Sequence, residues 1–299
     1  MSAPVAYPLG PPTYSGNTIT VDTMLQEPTR VTRRIADLTL QRFIVSMIFA
    51  TGGGVSGGAV VYDQALLNEL YLERDVERVA PGDEFPIVTS VRQAPKVAPV
   101  EKWGGKFFVT DEARDRNDAT SFNNQVTQLA NTIVRKMNAR AIETLDAALT
   151  ALGGAGTFVG NNWATALTTG TNPTPNADLP HADFAAAQLL GDVDELGVVY
   201  DLWLVNPAQM AQLRIIYGSD LPALLADNGI AMEASNRVPA GTAYVVARGQ
   251  VGEIRVEKPL GTETWREEKT ERNWVQSSVR PVMYVTNPYS VRRVTGLAG

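Results

Sequence analysis

Residues 120–152 read TSFNNQVTQLANTIVRKMNARAIETLDAALTAL. Apolar side chains recur at Phe122, Val126, Leu129, Ile133, Met137, Ala141, Leu145, Ala148 and Leu152, in steps of three and four. That is the period of a helix with one buried stripe. Asp118 or Thr120 is placed to cap its start, and Gly153-Gly154 to end it. The run predicts a helix about 50 Å long at 1.5 Å per residue, about three times the ordinary length. The steps drift from a strict heptad, so a coiled coil is the poorer reading.

Upstream, residues 60–110 are broken by Pro81, Pro86, Pro95 and Pro99, which exclude helices. Strand-like runs lie between them, at 85–91, 97–100 and 107–110. Residues 66–84 hold six acids and two arginines; residues 92–106 hold four bases and one acid. The pattern predicts a two-armed β-hairpin with an acidic outgoing and a basic returning arm. A hairpin with so few apolar residues is marginal alone and needs a partner surface. Before it, ATGGGVSGGAV places five glycines within residues 52–58, which reads as a loose hinge. Residues 1–30 are rich in Pro, Gly, Ser and Thr and read as an extended arm.

Downstream, residues 153–180 form a Gly/Thr/Asn/Pro connection, expected to be exposed. An amphipathic helix is expected over 182–196, with Phe184, Leu189, Leu190 and Val193 on its apolar side. A buried strand at 198–205 stops at Asn206-Pro207 and turns into a helix, with Pro207 in the first turn, where its missing N–H costs nothing. Residues 244–247 read as another buried strand. From Val251 onward the chain is β, in GEIRVEK, TETWREEK, RNWVQSSVRPVMYVTN and SVRRVTG.

The 299 residues fit one large domain or two linked ones. A net charge of −6 argues against a general nucleic-acid binder. With no cysteine, disulfides, thiolate nucleophiles, iron–sulfur clusters and cysteine zinc sites are excluded. MSAPVAYPLGPPTYSG has neither the charged nor the apolar region of a signal peptide. The longest apolar run, 43–50, is too short to span a bilayer. A soluble protein used without export is expected.

The candidate chemistry is thin. Gly52, Gly54 and Gly57 match G-x-G-x-x-G, with Asp75 downstream, but that fingerprint needs a helix to open at the glycines. Residues 59–62 read as strand instead. The same stretch matches G-x-S-x-G around Ser56, which also needs a strand–turn–helix and a base. The one histidine, His181, opens a helix after a loose connection and reads as a surface residue. Asp192, Asp194 and Glu195 follow one helix and read as a solvated face. Glu267, Glu268 and Glu271 alternate with Arg266, Lys269 and Arg272 as a charged strand face. Trp103, Trp163, Trp203, Trp265 and Trp274 are scattered and make no evident platform. No catalytic, cofactor-binding or metal-ligating constellation is assigned, and no cofactor is expected.

The order of parts resembles the major capsid proteins of tailed bacteriophages, the Hong Kong 97 fold, over residues 30–296. VEKWGGKFFVTDEA (100–113) carries the family's W/Y-G-x-x-x-x-V-[ST]-x-E pattern just before the long helix. LWLVNPAQMAQL (202–213) resembles the strand-to-helix step of the family's axial domain, and RPVMYVTNPYSVRRVTG (280–296) its closing peripheral strands. The resemblance implies an α+β chain. Its parts would be an N-terminal arm (1–50), an extended β-hairpin loop (51–113), a spine helix and connection (114–180), an axial domain (181–250) and C-terminal peripheral-domain strands (251–299). It implies a non-enzymatic subunit that self-assembles into pentamers and hexamers of an icosahedral shell. The shell would enclose phage double-stranded DNA without reading its sequence, and would not touch membrane. The subunit would be found in the virion, after assembly in the host bacterial cytoplasm. Expected partners are a portal, a separate scaffolding protein (the arm is too short to hold the scaffolding segment of some relatives, unless this is the mature form) and, in some members, a decoration protein. One relative seals its shell by isopeptide bonds between a loop lysine and an asparagine. Lys96, Lys102, Lys106, Asn273 and Asn287 are the residues of those types here. Alternatives are an encapsulin-type nanocompartment shell, a serine hydrolase built on Ser56 and His181, and a β-rich tail or fibre protein. The last does not account for the long helix.

Overall fold

The computed structural model describes residues 21–40, 43–65, 76–88 and 94–298. Two helices come first, α1 (Val21–Gln26) and α2 (Pro28–Leu40), then a single turn, α3 (Val45–Ile48). β1 (Ala50–Gly54), β2 (Ala59–Tyr62), β3 (Lys96–Pro99) and β4 (Trp103–Thr110) follow. A short helix, α4 (Asp111–Asp115), leads into α5 (Ala119–Ala151), the long helix expected from the apolar period. Asp118 caps it, accepting from the Ser121 N–H at 3.0 Å. It ends at Leu152, where Gly153 takes a positive φ of 62°, a backbone region open to glycine at no steric cost.

After α5 come β5 (Thr157–Val159), α6 (Pro180–Val193), β6 (Leu202–Val205), α7 (Pro207–Tyr217), α8 (Leu221–Asp227), β7 (Ala231–Ala234) and β8 (Ala243–Val246). The chain closes with β9 (Gly252–Glu267), β10 (Arg272–Val285) and β11 (Val291–Thr295). A four-stranded sheet has the order β1-β9-β10-β4, a five-stranded sheet the order β5-β11-β8-β6-β7, and β2 pairs with β3 as a two-stranded ribbon.

The long helix joins these parts. Its first half buries Phe122, Val126 and Ala130 against α1, α2, β4 and β10. Its second half buries Met137, Ala141 and Leu145 against residues of both larger sheets, among them Leu204, Tyr244, Ile254 and Val285. The five-stranded sheet is covered on both faces. Leu202 and Leu204 of β6 point to the α5 side, while Trp203 and Val205 point to a second core with Phe184 of α6 and Leu213 of α7. Successive strand residues face opposite ways, so a strand buried on both faces reads as the unbroken apolar run LWLV.

Several sequence expectations are corrected. Residues 21–30, read as extended, are helical except at Glu27, and the second helix runs on to Leu40: Val21, Met24, Val31 and Ile35 recur at helical spacing and are fully buried. Residues 1–20 lie outside the described residues. The expected strand at 85–91 is absent over 85–88, and 89–91 lie outside the described residues, as does much of the acidic arm. The strand at 107–110 begins at Trp103 and pairs with β10, not with the outgoing arm. The long hairpin of the described chain is therefore β9–β10, whose first strand, 16 residues long, carries GEIRVEK and TETWRE, with Glu268 and Lys269 in the turn that follows. The 153–180 connection is not wholly exposed, since Trp163 is fully buried. β11 does not close the four-stranded sheet with β10. It joins the five-stranded one between β8 and β5, because the turn at Pro288–Ser290 carries the chain across.

Candidate functional site: the β4–helix junction and the exposed apolar faces

The W-G-x-x-x-x-V-T-x-E pattern spans β4 and the start of α4, and each of its residues has a visible task. The Trp103 indole N–H donates to Glu101 at 3.1 Å. Glu101 also accepts from Arg140 at 2.7 Å, which fastens the strand to α5. Gly104 lies against β10 so closely that an added Cβ would collide with the Ser277 carbonyl oxygen. Val109 is buried under α5. The Thr110 hydroxyl accepts from the Ala113 N–H at 3.3 Å and so caps α4. Glu112 sits in that helix's first turn, where its own backbone N–H and the Thr110 hydroxyl hold its carboxyl below the usual range. Asp111 is held still more specifically, by Arg266 at 2.6 Å and Asn273 at 2.7 Å. The Arg266 bond leads the causes that lower its pKa. The pattern is thus a joint that fixes strand, turn and long helix.

The surface is apolar in places where a lone chain has no use for it. In the β2–β3 ribbon, Val60 and Ala98 pack on Val282 and Tyr284. The other face turns Val61 and Val97 outward. Phe85 and Ile87 are 79% and 80% exposed. A further patch lies on the four-stranded sheet, on the side away from α5. Trp265 of β9 stacks on Trp274 of β10 with centroids 6.4 Å apart and planes 19° from parallel. Phe108 of β4 meets Trp274 edge-on at 5.3 Å. Lys106 lies over Trp274 at 4.4 Å and Arg272 over Phe108 at 4.3 Å. Such cation–ring contacts are favourable electrostatically. The tryptophans are therefore not scattered: Trp163 and Trp203 also meet, in the second core. Residues far apart in sequence become neighbours through strand pairing, which no local signal records.

The catalytic alternatives dissolve in this geometry. Ser56 lies in the turn from β1 to β2, so no helix opens at the glycines and neither fingerprint has its structural context. His181 is tied down elsewhere, its ring Nδ1 lying 3.3 Å from the Tyr217 hydroxyl. Two residues on, Asp183 is buried and accepts from the Trp163 indole at 2.6 Å and the Asn161 N–H at 3.0 Å. Asp194 is not a solvated acid: it pairs with the buried Arg292, which also donates to the Tyr200 hydroxyl at 2.9 Å. Glu267 accepts from the Trp274 indole at 2.9 Å. Of the cross-link candidates, Lys96 bonds Gln64 and Lys106 covers a ring. Asn273 holds Asp111, and Asn287 caps the turn at Tyr289 at 3.1 Å. No helix among the described residues is long and apolar enough to cross a membrane.

A family model described as phage capsid protein matches residues 93–294, more than half of the chain. No curated protein matches the sequence. The fold is similar to that of a virus-like particle from Pyrococcus furiosus, with a TM-score of 0.61 at 13% identity, covering 90% of this chain and 99% of that one. The capsid of the cyanophage P-SCSP1u is similar with a TM-score of 0.57 at 14% identity, covering 83% of this chain and 86% of the other. A structure from Mycobacterium phage Bobi is similar at 0.56 and 12%, covering 86% and 89%. At these identities the likeness is one of fold. The matched family region begins just before the β4 joint and runs into β11, so the joint, the long helix and every strand of the two larger sheets except β1 lie in it. The chain belongs to the phage capsid protein family, as a structural, non-enzymatic subunit with a Hong Kong 97-like capsid fold.

Proposed function

We propose that the chain is a major capsid subunit that forms pentamers and hexamers and, from them, an icosahedral shell around phage double-stranded DNA. The observation that carries this reading is the apolar surface left outside the cores: Val61 and Val97 stand exposed as cross-strand neighbours on the β2–β3 ribbon, and Trp265, Trp274 and Phe108 form one patch on the four-stranded sheet. Contiguous exposed apolar surface of this kind marks interaction sites, and a shell repeats each such contact many times. The net charge of −6 suits a container that confines DNA rather than gripping it. A portal and a scaffolding protein complete the proposed assembly, and a decoration protein would sit on the finished shell.

Electron microscopy of the purified chain, with size-exclusion chromatography and nuclease-protected DNA measured on particles from infected cells, tests this. Closed shells or rings of five and six, with DNA inside the native particle, are expected. Shells filled with protein cargo and free of DNA would favour the nanocompartment reading instead. A chain that stays monomeric at high concentration, with and without a scaffolding partner, would overturn both.

A further inference from the structure

We propose that the notch above Gly104, between Lys102 and Lys106 on one side and Gln276 and Ser278 of β10 on the other, is a seat for a phosphate group. The notch holds about 230 Å³, and its lining includes both lysines and no acid. It lies on the face of the four-stranded sheet that carries Trp274. Gln276 and Ser278 follow Trp274 in steps of two, and Lys106 and Gly104 are their partners on β4, so all project to one side. Gly104 opens the space. Its backbone runs so close to β10 that an added Cβ would stand 2.8 Å from the Ser278 Cβ. Only glycine leaves room beside the Ser278 side chain.

The polar groups around this space are donors that no acceptor answers. Ser278 is 9% exposed, yet among the described residues its hydroxyl has no hydrogen-bond partner, and neither do the side chains of Gln276 and Lys102. A buried polar group without a partner calls for one. Ammonium, hydroxyl and carboxamide N–H can all donate. Lys102 and Lys106 stand four residues apart, about 13 Å along an extended chain, and bracket the notch. Lys106 lies over the Trp274 ring at 4.4 Å, which steadies its charge. The acids beside the notch are engaged elsewhere. Glu101 accepts from Arg140 and Trp103, and Glu263, opposite Gln276, pairs with Lys258. Positive charge at two ends and neutral donors on the floor suit an ion with acceptor oxygens on every side. A phosphate is such an ion, whereas a carboxylate offers its two oxygens in one plane.

Isothermal titration calorimetry of the wild-type chain with inorganic phosphate, at constant ionic strength, tests this. Saturable binding at one site per chain is expected. Ser278→Ala should weaken it about tenfold, the size of one lost hydrogen bond to a charged group. Lys102→Gln combined with Lys106→Gln should weaken it at least as much. If Ser278→Ala unfolds early, the lysine pair alone carries the comparison. Arg237→Gln combined with Lys269→Gln removes the same charge elsewhere and should bind as the wild type does. No saturable binding, equal weakening in that control, or acetate bound as tightly as phosphate would overturn the seat. Competition then separates the sources of the phosphate. Displacement by an unphosphorylated oligothymidylate, whose phosphates are all diesters, would trace the ligand to a nucleic-acid backbone. Displacement by pyrophosphate alone would trace it to free phosphates, and either result supports the assignment. Binding is read on the chain itself, so its failure leaves the shell reading untouched.

Discussion

Asp183 shows how a single buried group can hold a whole connection in place. Its carboxylate accepts from the Trp163 indole and from both the backbone and the side-chain amide of Asn161, pinning the segment after β5 to the first turn of α6. Asp183→Ala would strand these donors and is expected to cost roughly 3 kcal/mol, read from urea unfolding. Burial, the leading cause, pushes the Asp183 pKa above the ordinary aspartate range, although the Trp163 and Asn161 bonds oppose it. The folded chain therefore holds this proton more tightly than the unfolded one. The stability that goes with it is complete below the ordinary value and is lost as pH rises through the raised one. Unfolding followed from about pH 4 to 7 should show the wild type losing stability relative to Asp183→Asn as pH rises; parallel curves would refute this. Arg292 is the other buried charge of note, 2% exposed. Arg292→Ala leaves Asp194 without its cation and the Ala155 carbonyl without that donor, while the Tyr200 hydroxyl keeps its own bond to the Tyr289 carbonyl; the expected cost is about 3–5 kcal/mol in urea unfolding.

At the scale of the element, α5 matters most, because both larger sheets rest on it. A proline in mid-helix removes one hydrogen bond and clashes with the preceding turn, for about 3 kcal/mol or more. Leu129→Pro falls where α5 faces β4, since a Cβ on Gly105 would already press on the Leu129 side chain. The variant should lose far-UV helical signal and form no particles; normal particles would mean that the helix does not carry the assembly. The cap is a milder probe. Asp118→Ala should cost about 1 kcal/mol in thermal or urea unfolding and leave particle form unchanged, because capping stabilises the end of the helix without setting its direction.

The whole molecule is a subunit whose exposed faces make sense only in company. The acidic segment before β3 and the lysines around β4 suggest that ionic contacts between copies add to apolar burial. Exposed pairs contribute about 0.2–1 kcal/mol each, so a few per subunit amount to about a tenfold change in the concentration needed for assembly. Salt at about 1 M shortens the screening length to about 3 Å, from about 10 Å at 0.1 M. Light scattering across that range should show the assembly threshold rising with salt. A threshold that stays flat would assign assembly to apolar contact alone.

Elements whose signals are local were legible in the amino-acid order alone. The three-and-four spacing placed α5 over 120–152 against Ala119–Ala151 in the structure. Asn206-Pro207 marked a strand-to-helix step because Asn206 caps α7, its side chain accepting from the Ala208 N–H at 3.0 Å. The same W-G-x-x-x-x-V-T-x-E residues that pointed to the capsid fold turned out to build the joint. What stayed hidden depends on partners far along the chain. β4 could be read as a strand but not as the neighbour of β10, nor β11 as a member of the five-stranded sheet. Trp265, Trp274 and Phe108 meet only because three strands share a register, and the Arg292–Asp194 pair spans 98 residues. Helical period is set by residues within one turn of each other, so composition and spacing suffice to read it. Strand partners, buried ion pairs and the faces left open are chosen by which apolar surfaces the completed chain can cover at once, and only the tertiary structure decides that.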